Sequence, residues 1–191
     1  MTDSWLVGDR KAVARERILD AAGRCFARCG VPGTSVGDVA AEAGCSRPTI
    51  YRYFEDRDGL RTAFVEREAG RIGEDVAEVI ARVDDPGERL VIGIIEALRR
   101  VRGNATLSSW FDPTEAGATD QLARASAAIN RFVEPFVRTD DAAATRRRTD
   151  WVIRAVLSLL TSPGASDDDE ETMLRELLVP VVVSASIPPA E

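Results

Sequence analysis

Hydrophobic residues recur along the chain at intervals of three and four, the spacing that places side chains on one face of an α-helix. Ile18, Ala22 and Phe26 follow this spacing in the first segment, and Gly30 stands where a helix end favours a residue free to adopt a positive φ. A longer run of the same kind predicts a helix over residues 58–82, which would be about 37 Å long. The first part of the chain is therefore predicted to be helical.

The remainder continues the helical pattern. The stretch LVIGIIEAL, residues 90–98, is apolar nearly all round, as expected of a central buried helix. Further helices are predicted over residues 121–138, 141–161 and 167–184. Pro135 should kink the first of these three. Since the only ambiguous run is Val179 to Val183, and no alternating strand pattern with a turn is visible, the predicted fold class is all-α.

Residues 34–57 have the pattern of a helix–turn–helix. Ser35 can cap a helix, with Asp38 three residues on in the position of a capping box. Gly44 permits a tight turn, and Ser46 can cap a second short helix whose first turn contains Pro48. Two short helices joined by a glycine turn are the geometry with which many proteins enter the major groove of DNA.

The second short helix leaves polar and aromatic side chains facing outward. Ile50 and Phe54, four residues apart, are expected to face inward. The residues left over are Arg47, Thr49, Tyr51, Arg52 and Tyr53. Arginine can bond the two acceptors of guanine, threonine can contact a thymine methyl or a phosphate, and tyrosine can bond phosphate oxygens. From spacing alone, solvated residues on an ordinary helical hairpin remain an equal alternative.

Composition narrows the classes of function. The formal net charge is −7, but residues 1–62 hold ten basic and nine acidic groups, so the excess of acid lies in the rest of the chain. The chain has no histidine, which removes the usual general base and the commonest transition-metal ligand, and no cofactor is expected. The three cysteines lack zinc-type spacing and indicate reduced buried thiols. Since there is no signal-peptide pattern and no apolar run long enough for a membrane span, a cytoplasmic protein without a membrane partner is expected.

Residues 10–65 resemble the DNA-binding domain of the TetR/AcrR family of bacterial regulators. The elements that carry the resemblance are Ile18-Leu19, Ala21-Ala22, Phe26, Gly30, Thr34-Ser35, Val39-Ala40, Ala43-Gly44, Ser46, Tyr51 and Phe54. The resemblance implies a three-helix DNA-binding domain over residues 10–60 and a helical domain for effector binding and dimerisation over residues 61–188. It also implies a transcriptional regulator, most often a repressor that binds a palindromic double-stranded operator as a homodimer and is released by a small molecule.

The resemblance assigns DNA contacts residue by residue. Those at the positions where family members meet bases are Arg47, Pro48, Thr49 and Arg52. Those at phosphate-contacting positions are Tyr51, Tyr53 and Arg57, with Thr34 and Ser35 at the helix start that abuts the DNA backbone. Asp56 and Asp58 flank Arg57 and weaken its positive potential. Lys11, Arg15 and Arg17 could add phosphate contacts, although a solvated surface is the preferred interpretation.

The C-terminal part offers material for a dimer interface and a ligand pocket. The candidate interface residues are Trp151, Ala155, Val156, Leu159, Leu174, Leu177, Leu178 and Val181. Paired with a second copy, these two stripes would form a four-helix bundle, but periodicity cannot exclude that they face the monomer's own core. The aromatic candidates for a pocket are Trp110, Phe111, Phe132 and Phe136, for which core packing is the alternative. An apolar or amphipathic effector is expected.

Two other classes of function remain open. A helical small-molecule-binding protein that does not bind an operator would share the whole pattern. An enzyme is the least favoured class, because the sequence shows no nucleophile–base pair, metal cluster or phosphate loop.

Overall fold

Helices form from end to end of the residues that the computed structural model describes, which are 4–111 and 116–183. The first four are α1 (Ser4–Gly33), α2 (Val36–Ala43), α3 (Arg47–Tyr53) and α4 (Arg57–Ile80). The next four are α5 (Pro86–Arg102), α6 (Ala105–Ser108), α7 (Ala116–Ala125) and α8 (Ala127–Val137), with a 3-10 turn, Ser109–Phe111, after α6. The last are α9 (Ala142–Thr161), α10 (Asp167–Met173) and α11 (Val179–Val182), with a π-helical turn, Leu174–Leu178, joining α10 to α11. The all-α class is confirmed.

Local capping explains where the early helices begin and end. Gly30 interrupts α1 with a φ of 72°, which a residue with a Cβ rarely adopts. Ser35 and Asp38 form the reciprocal capping box at the start of α2. Gly44 ends α2 in the left-handed conformation, with a φ of 67°. The sequence signals of the helix–turn–helix thus all have their expected structural counterpart.

The helix–turn–helix unit has its own hydrophobic core, and one side chain from far along the chain completes it. Ile18, Leu19 and Phe26 of α1 pack with Ile50 of α3 and with the first two turns of α4. Trp110, from the turn after α6, is also buried in this cluster, with 3% of its surface exposed. The helix α4 runs without a break across position 60, so the predicted division between residues 10–60 and 61–188 falls inside a helix and stays a proposal.

A second hydrophobic cluster surrounds α5, as its apolar sequence predicts. Leu90, Val91, Ile94, Ile95 and Leu98 are all buried in it. The partners come from α8, α9 and the helical segment 174–182. Gly93 is buried facing α4, where a Cβ built on it would make an ordinary van der Waals contact, 3.5 Å from Cγ1 of Val76.

The predicted helix over 121–138 is wrong as a single element. α7 ends at Ala125, and Ser126 caps α8 by accepting a hydrogen bond from the amide of Ile129. The carboxylate of Glu66, on α4, also accepts hydrogen bonds from the amides of Ala127 and Ala128, at 2.7 and 3.0 Å. The free amides at the start of α8 are therefore satisfied by Ser126 and by Glu66. Pro135 lies inside α8, two residues before its end, and removes the hydrogen bond that an amide there would donate to the carbonyl of Arg131.

The ambiguous run from Val179 is helical as far as Val182, so the predicted helix over 167–184 is present as α10, the π-helical turn and α11, and position 184 lies outside the described residues. The expectation of three buried thiols needs correction. Cys25 is buried, and burial raises the pKa of its thiol, but Cys29 is exposed, so not all three thiols are core residues. Across the part of the chain that the structure describes, none of the helices combines the length and apolar character needed to span a bilayer.

Candidate nucleic-acid interface and internal cavity

The short helix α3 packs against the core with one face and exposes the other face to solvent. Ser46 caps it by accepting a hydrogen bond from the amide of Thr49 at 3.3 Å, and Pro48 occupies its first turn. Ile50 is fully buried and Phe54, just after the helix, is 5% exposed. Because these two anchor one side, the opposite side lies at the surface. The side chains exposed there are Arg47, Pro48, Tyr51 and Arg52.

Two of these exposed side chains have defined neighbours. The guanidinium of Arg47 lies so close to α2 that a Cβ built on Gly37 would be 2.5 Å from its Nη2, so only glycine fits at position 37 without displacing it. The guanidinium of Arg52 lies 5.4 Å from the centroid of the Tyr53 ring, within the range of a cation–π contact. Tyr53 itself is half-buried against the core. Its ring is therefore a fixed surface that orients the guanidinium of Arg52.

Thr34 and Arg57, both assigned to the DNA backbone, face the protein instead. Thr34 is 2% exposed and its hydroxyl donates to the carbonyl of Gly30 at 2.7 Å. Nη2 of Arg57 donates to the carbonyls of Val31 and Pro32, at 2.9 and 2.7 Å. Both side chains close the turn between α1 and α2, so their assignment as phosphate contacts does not fit the structure. Their hydrogen bonds go to backbone carbonyls at the point where α1 is interrupted.

Ser35 and Thr49 are committed mainly to helix capping. The hydroxyl of Ser35 donates to Oδ2 of Asp38 at 2.6 Å, and this bond holds the pKa of the Asp38 carboxyl below its usual range. The hydroxyl of Thr49 lies 3.0 Å from Oγ of Ser46. Ser35 remains exposed at the start of α2, and it lines the same surface groove as Arg47 and Tyr51. It is therefore still accessible to a DNA phosphate.

The basic residues of α1 lie at or near the same surface. Lys11 is exposed, whereas the guanidinium of Arg15 lies 5.4 Å from the centroid of the Phe54 ring. Arg17 is exposed, and its Nη2 lies close to Gly44, in the turn between α2 and α3. Arg15 therefore packs against the helix–turn–helix, whereas Lys11 and Arg17 lie exposed to solvent.

An internal cavity of about 180 Å³ lies between α4, α5, α8 and α9. All four aromatic candidates for a ligand pocket line it, namely Trp110, Phe111, Phe132 and Phe136. Apolar side chains form nearly all of the remaining wall that the structure describes, with Glu68 and Arg89 as its two charged members. Neither of these charged residues was predicted from the sequence as a site residue. The one available signal was that Arg89 directly precedes the all-apolar run of α5.

Trp110 belongs to the cavity wall and to the core of the helix–turn–helix unit at once. Its indole ring stacks on Phe64 and meets Phe26 edge-on, with centroids 5.2 Å apart in the second pair. The hydroxyl of Thr119, in α7, donates to the carbonyl of Trp110 at 2.7 Å and fixes the 3-10 turn. The alternatives of core packing and pocket lining are therefore not exclusive for this residue.

The predicted dimer stripes divide between the core and the surface. Leu174 and Leu178 are 3% and 4% exposed and pack in the cluster around α5, so the monomer's own core already covers them. Val156 lines the internal cavity. Trp151, Leu177 and Val181 are exposed, at 52%, 67% and 59%. Ala155 and Leu159 are half-buried beside them, and together these residues leave an apolar face along α9 and the 174–182 segment.

Comparison with known proteins points to regulators that bind DNA. Residues 18–64 match the family model described as bacterial regulatory proteins, tetR family. The uncharacterized HTH-type transcriptional regulator Rv1255c of Mycobacterium tuberculosis (strain ATCC 25618 / H37Rv) is 40% identical over 185 residues, which cover 95% of this chain and 92% of the relative. The HTH-type transcriptional repressor AcnR of Corynebacterium diphtheriae is 29% identical over 135 residues, covering 71% of this chain and 64% of AcnR.

Solved structures share the fold. The crystal structure of RolR in complex with the ligand resorcinol superposes with a TM-score of 0.69 at 19% identity, covering 96% of this chain and 98% of that one. At that identity the similarity shows the architecture, and nothing about the ligand of this chain.

Proposed function

Since the chain belongs to the tetR family of bacterial regulatory proteins and is a DNA-binding transcriptional regulator, we propose that it is a repressor controlled by a small apolar or amphipathic molecule. It binds a palindromic operator as a homodimer, and the effector releases it. The observation that carries this proposal is the exposed face of α3, where Arg47, Tyr51 and Arg52 project from a helix anchored by Ile50. The name of AcnR as a repressor supports the direction of regulation.

The residues proposed to contact DNA follow from exposure. Arg47 and Arg52 can each donate two hydrogen bonds to the acceptors of guanine in the major groove, and Pro48 and Thr49 lie beside them at the start of α3. The hydroxyls of Tyr51 and Ser35 lie at the same surface and are suited to phosphate oxygens. Tyr53 contributes as the half-buried support of Arg52. Thr34 and Arg57 contribute indirectly, because their hydrogen bonds fix the turn before α2.

The proposed dimer uses the exposed part of the predicted stripes. Trp151, Leu177 and Val181 form an apolar face that the monomer leaves open, with Ala155 and Leu159 at its centre. Large exposed apolar residues that cluster in this way are typical of interaction surfaces. A two-fold dimer would present two α3 helices to half-sites about one turn of DNA apart.

The proposed effector site is the internal cavity. Its walls are apolar, and it reaches the core of the helix–turn–helix unit through Trp110 and Phe64. A ligand that binds better to one arrangement of these helices than to another shifts the population toward that arrangement. RolR, a protein of the same architecture, was solved in complex with a small molecule, resorcinol, which is compatible with a ligand-responsive regulator.

Selection of bound sequences from a random pool of duplex DNA tests the central claim. We expect a palindromic site, bound with an affinity that falls steeply with salt as counterions are released from the phosphates. Enrichment of no sequence, together with tight binding of a small molecule, would favour a ligand-binding protein that does not recognise an operator. Turnover of a bound compound would favour an enzyme, although the relatives are named as regulators.

A further inference from the structure

The two charged residues of the cavity wall stand at opposite ends of it. In the antiparallel pair α4 and α5, Gly93 lies opposite Val76 and Ile80. Arg89 is one turn from Gly93 toward the start of α5, and Glu68 is two turns from Val76 toward the start of α4. At the helical rise, the two positions are separated by about 18 Å along the helix axes. Glu68 thus marks the end near the helix–turn–helix unit, and Arg89 marks the distal end.

The charge of Glu68 is already neutralised. Its carboxylate accepts hydrogen bonds from Arg67 at 2.8 Å and from Arg71 at 3.2 Å. Arg67 also reaches Asp20, on α1, at 2.8 Å, so Glu68 belongs to a network that joins α4 to α1. A cationic ligand group would have to compete with two arginines for this carboxylate, which makes this end of the cavity a poor site for one.

The charge of Arg89 is not neutralised. Within the described part of the chain its guanidinium forms no ion pair, and its Nε is buried without a hydrogen-bond partner. The nearest acid along the helix, Glu88, is held by both Nε and Nη2 of Arg175, at 2.9 and 3.1 Å. The other, Asp85, caps α5 by accepting from the amide of Glu88. A half-buried guanidinium without a partner costs free energy, and an anion placed against it would recover that cost.

The dimensions of the cavity restrict what could carry this anion. An apolar cavity of about 150 Å³ accommodates benzene, so this cavity of about 180 Å³ accommodates about seven or eight carbon atoms. The wall extends along α4 from Phe64 to Gly73, a distance of about 14 Å. A small volume spread over such a length is narrow, and it fits an unbranched chain better than a substituted ring.

We propose that the cavity binds a medium-chain carboxylate of about eight carbons, with its carboxylate paired to Arg89 and its alkyl chain directed toward Trp110. This inference rests on the proposed function for the identity of the cavity as the effector site, but the binding itself requires no DNA. The guanidinium provides two parallel donors for the carboxylate, and the apolar wall takes up the chain. The end of the chain then lies next to the aromatic side chains that the cavity shares with the helix–turn–helix core.

Calorimetric titration of the full-length protein tests the proposal, with octanoate, octan-1-ol and octylammonium as probes. We expect the wild type to bind octanoate at least about tenfold more tightly than octan-1-ol, and octylammonium most weakly. Arg89→Gln should abolish the preference for octanoate while leaving octan-1-ol affinity within about twofold, which also shows that the cavity is intact. Arg89→Lys should retain part of the preference. Arg82→Gln is the matched control, because Arg82 is exposed beyond the end of α4 and does not line the cavity.

Three results would overturn the proposal. They are equal affinity of the wild type for octanoate and octan-1-ol, unchanged octanoate binding by Arg89→Gln, and preference for octylammonium. Tight binding of resorcinol with none of octanoate would assign the cavity to small aromatic ligands instead. Octanoate binding that depends on Arg89 in a protein that selects no DNA would refute the proposed repressor and leave the carboxylate site standing.

Discussion

The indole ring of Trp110 lies parallel to the phenyl ring of Phe64, with centroids 5.7 Å apart and 4° between the ring planes. Phe64 is in α4 and Trp110 is 46 positions further along the chain, yet both meet the edge of Phe26 in α1. These three rings are the core of the helix–turn–helix unit at the point where the cavity ends. A ligand at this end of the cavity would therefore contact side chains that pack the DNA-binding helices together.

Replacing Trp110 should destabilise the protein strongly. Trp110→Ala removes the stack on Phe64 and leaves a void, and we expect the free energy of unfolding to fall by about 3–5 kcal/mol. Urea unfolding followed by circular dichroism measures this. Tyr51→Ala removes an aromatic ring that is 50% exposed and should change stability by less than about 0.5 kcal/mol. Equal losses for the two variants would show that the triad of rings is not a structural core.

Arg52→Ala should weaken operator binding by about 1–3 kcal/mol and relax the preference for one base. The reason is that Arg52 is exposed on α3 and supported by the Tyr53 ring. Binding of Arg52→Ala to operators carrying each of the four bases at every position measures both effects. Arg131→Ala, an exposed arginine of α8, is the control and should bind as the wild type does. An unchanged base profile for Arg52→Ala would refute its assignment.

Arg57→Gln should affect stability and leave the salt dependence of DNA binding unchanged. The carbonyls of Val31 and Pro32 lose a charged donor, at an expected cost of about 1.5–3 kcal/mol. If Arg57 contacted phosphate, the slope of log affinity against log salt would fall by about one. Fluorescence anisotropy over a salt series separates the two roles, and a reduced slope with unchanged stability would restore the phosphate contact that the sequence indicates.

Glu170→Gln should destabilise the protein by about 3–5 kcal/mol near pH 7, because it removes the buried carboxylate that pairs with Arg102 and leaves only the exposed Asp167, at 4.0 Å. Both oxygens of Glu170 accept from Arg102, at 2.7 and 2.8 Å, and Glu170 is 1% exposed. These bonds hold the pKa of Glu170 below its usual range. Its contribution is therefore fully present above the ordinary glutamate pKa of about 4.3 and is lost as the pH falls through the lowered folded value.

Unfolding measurements between pH 7 and pH 3 follow this contribution. The difference in stability between the wild type and Glu170→Gln should shrink as the pH decreases. Glu88→Gln breaks the exposed pair with Arg175 and should cost at most about 1 kcal/mol at any of these values. A difference for Glu170→Gln that is independent of pH would show that charge is not what holds α10 against α5.

If the chain forms the proposed homodimer, Leu177→Glu should dissociate it without unfolding the monomer. Leu177 is 67% exposed, whereas its neighbour Leu178 is 4% exposed and packs against α5. Leu178→Ala should instead cost about 2–5 kcal/mol of stability. Analytical ultracentrifugation and urea unfolding of both variants distinguish the two faces, and a Leu177→Glu protein that remains dimeric would place the interface elsewhere.

Local rules were sufficient to predict the helix–turn–helix. Ser35, Gly44 and Ser46 determine helix ends through bonds to residues at most four positions away, so the sequence contains all that is needed. The roles of Arg57 and Glu170 depend on carbonyls or guanidinium groups 25 to 68 positions away, which no local pattern reveals. An acidic run such as 167–171 is usually solvated, and only its packing against Arg102 makes one member of it a core residue.

The two stripes proposed for a dimer interface mix core and surface residues for a related reason. Apolar residues at helical spacing show that a helix has a buried side, but they do not separate a face against the same chain from a face against another copy. In the segment 174–182 both faces are apolar. Leu174 and Leu178 take the inner one, and Leu177 and Val181 the outer one.

The two hydrogen bonds from the α8 amides to Glu66 connect the far side of the cavity to α4. An occupant that pushes Phe132 and Phe136 outward must either stretch those bonds or drag α4 along with α8. The same helix α4 begins at Arg57, whose guanidinium is hydrogen-bonded to the turn before α2. In the proposed dimer, a tilt of α4 at the cavity would move α3 in each subunit, so a ligand of only a few atoms could alter the distance between the two α3 helices across a turn of the double helix.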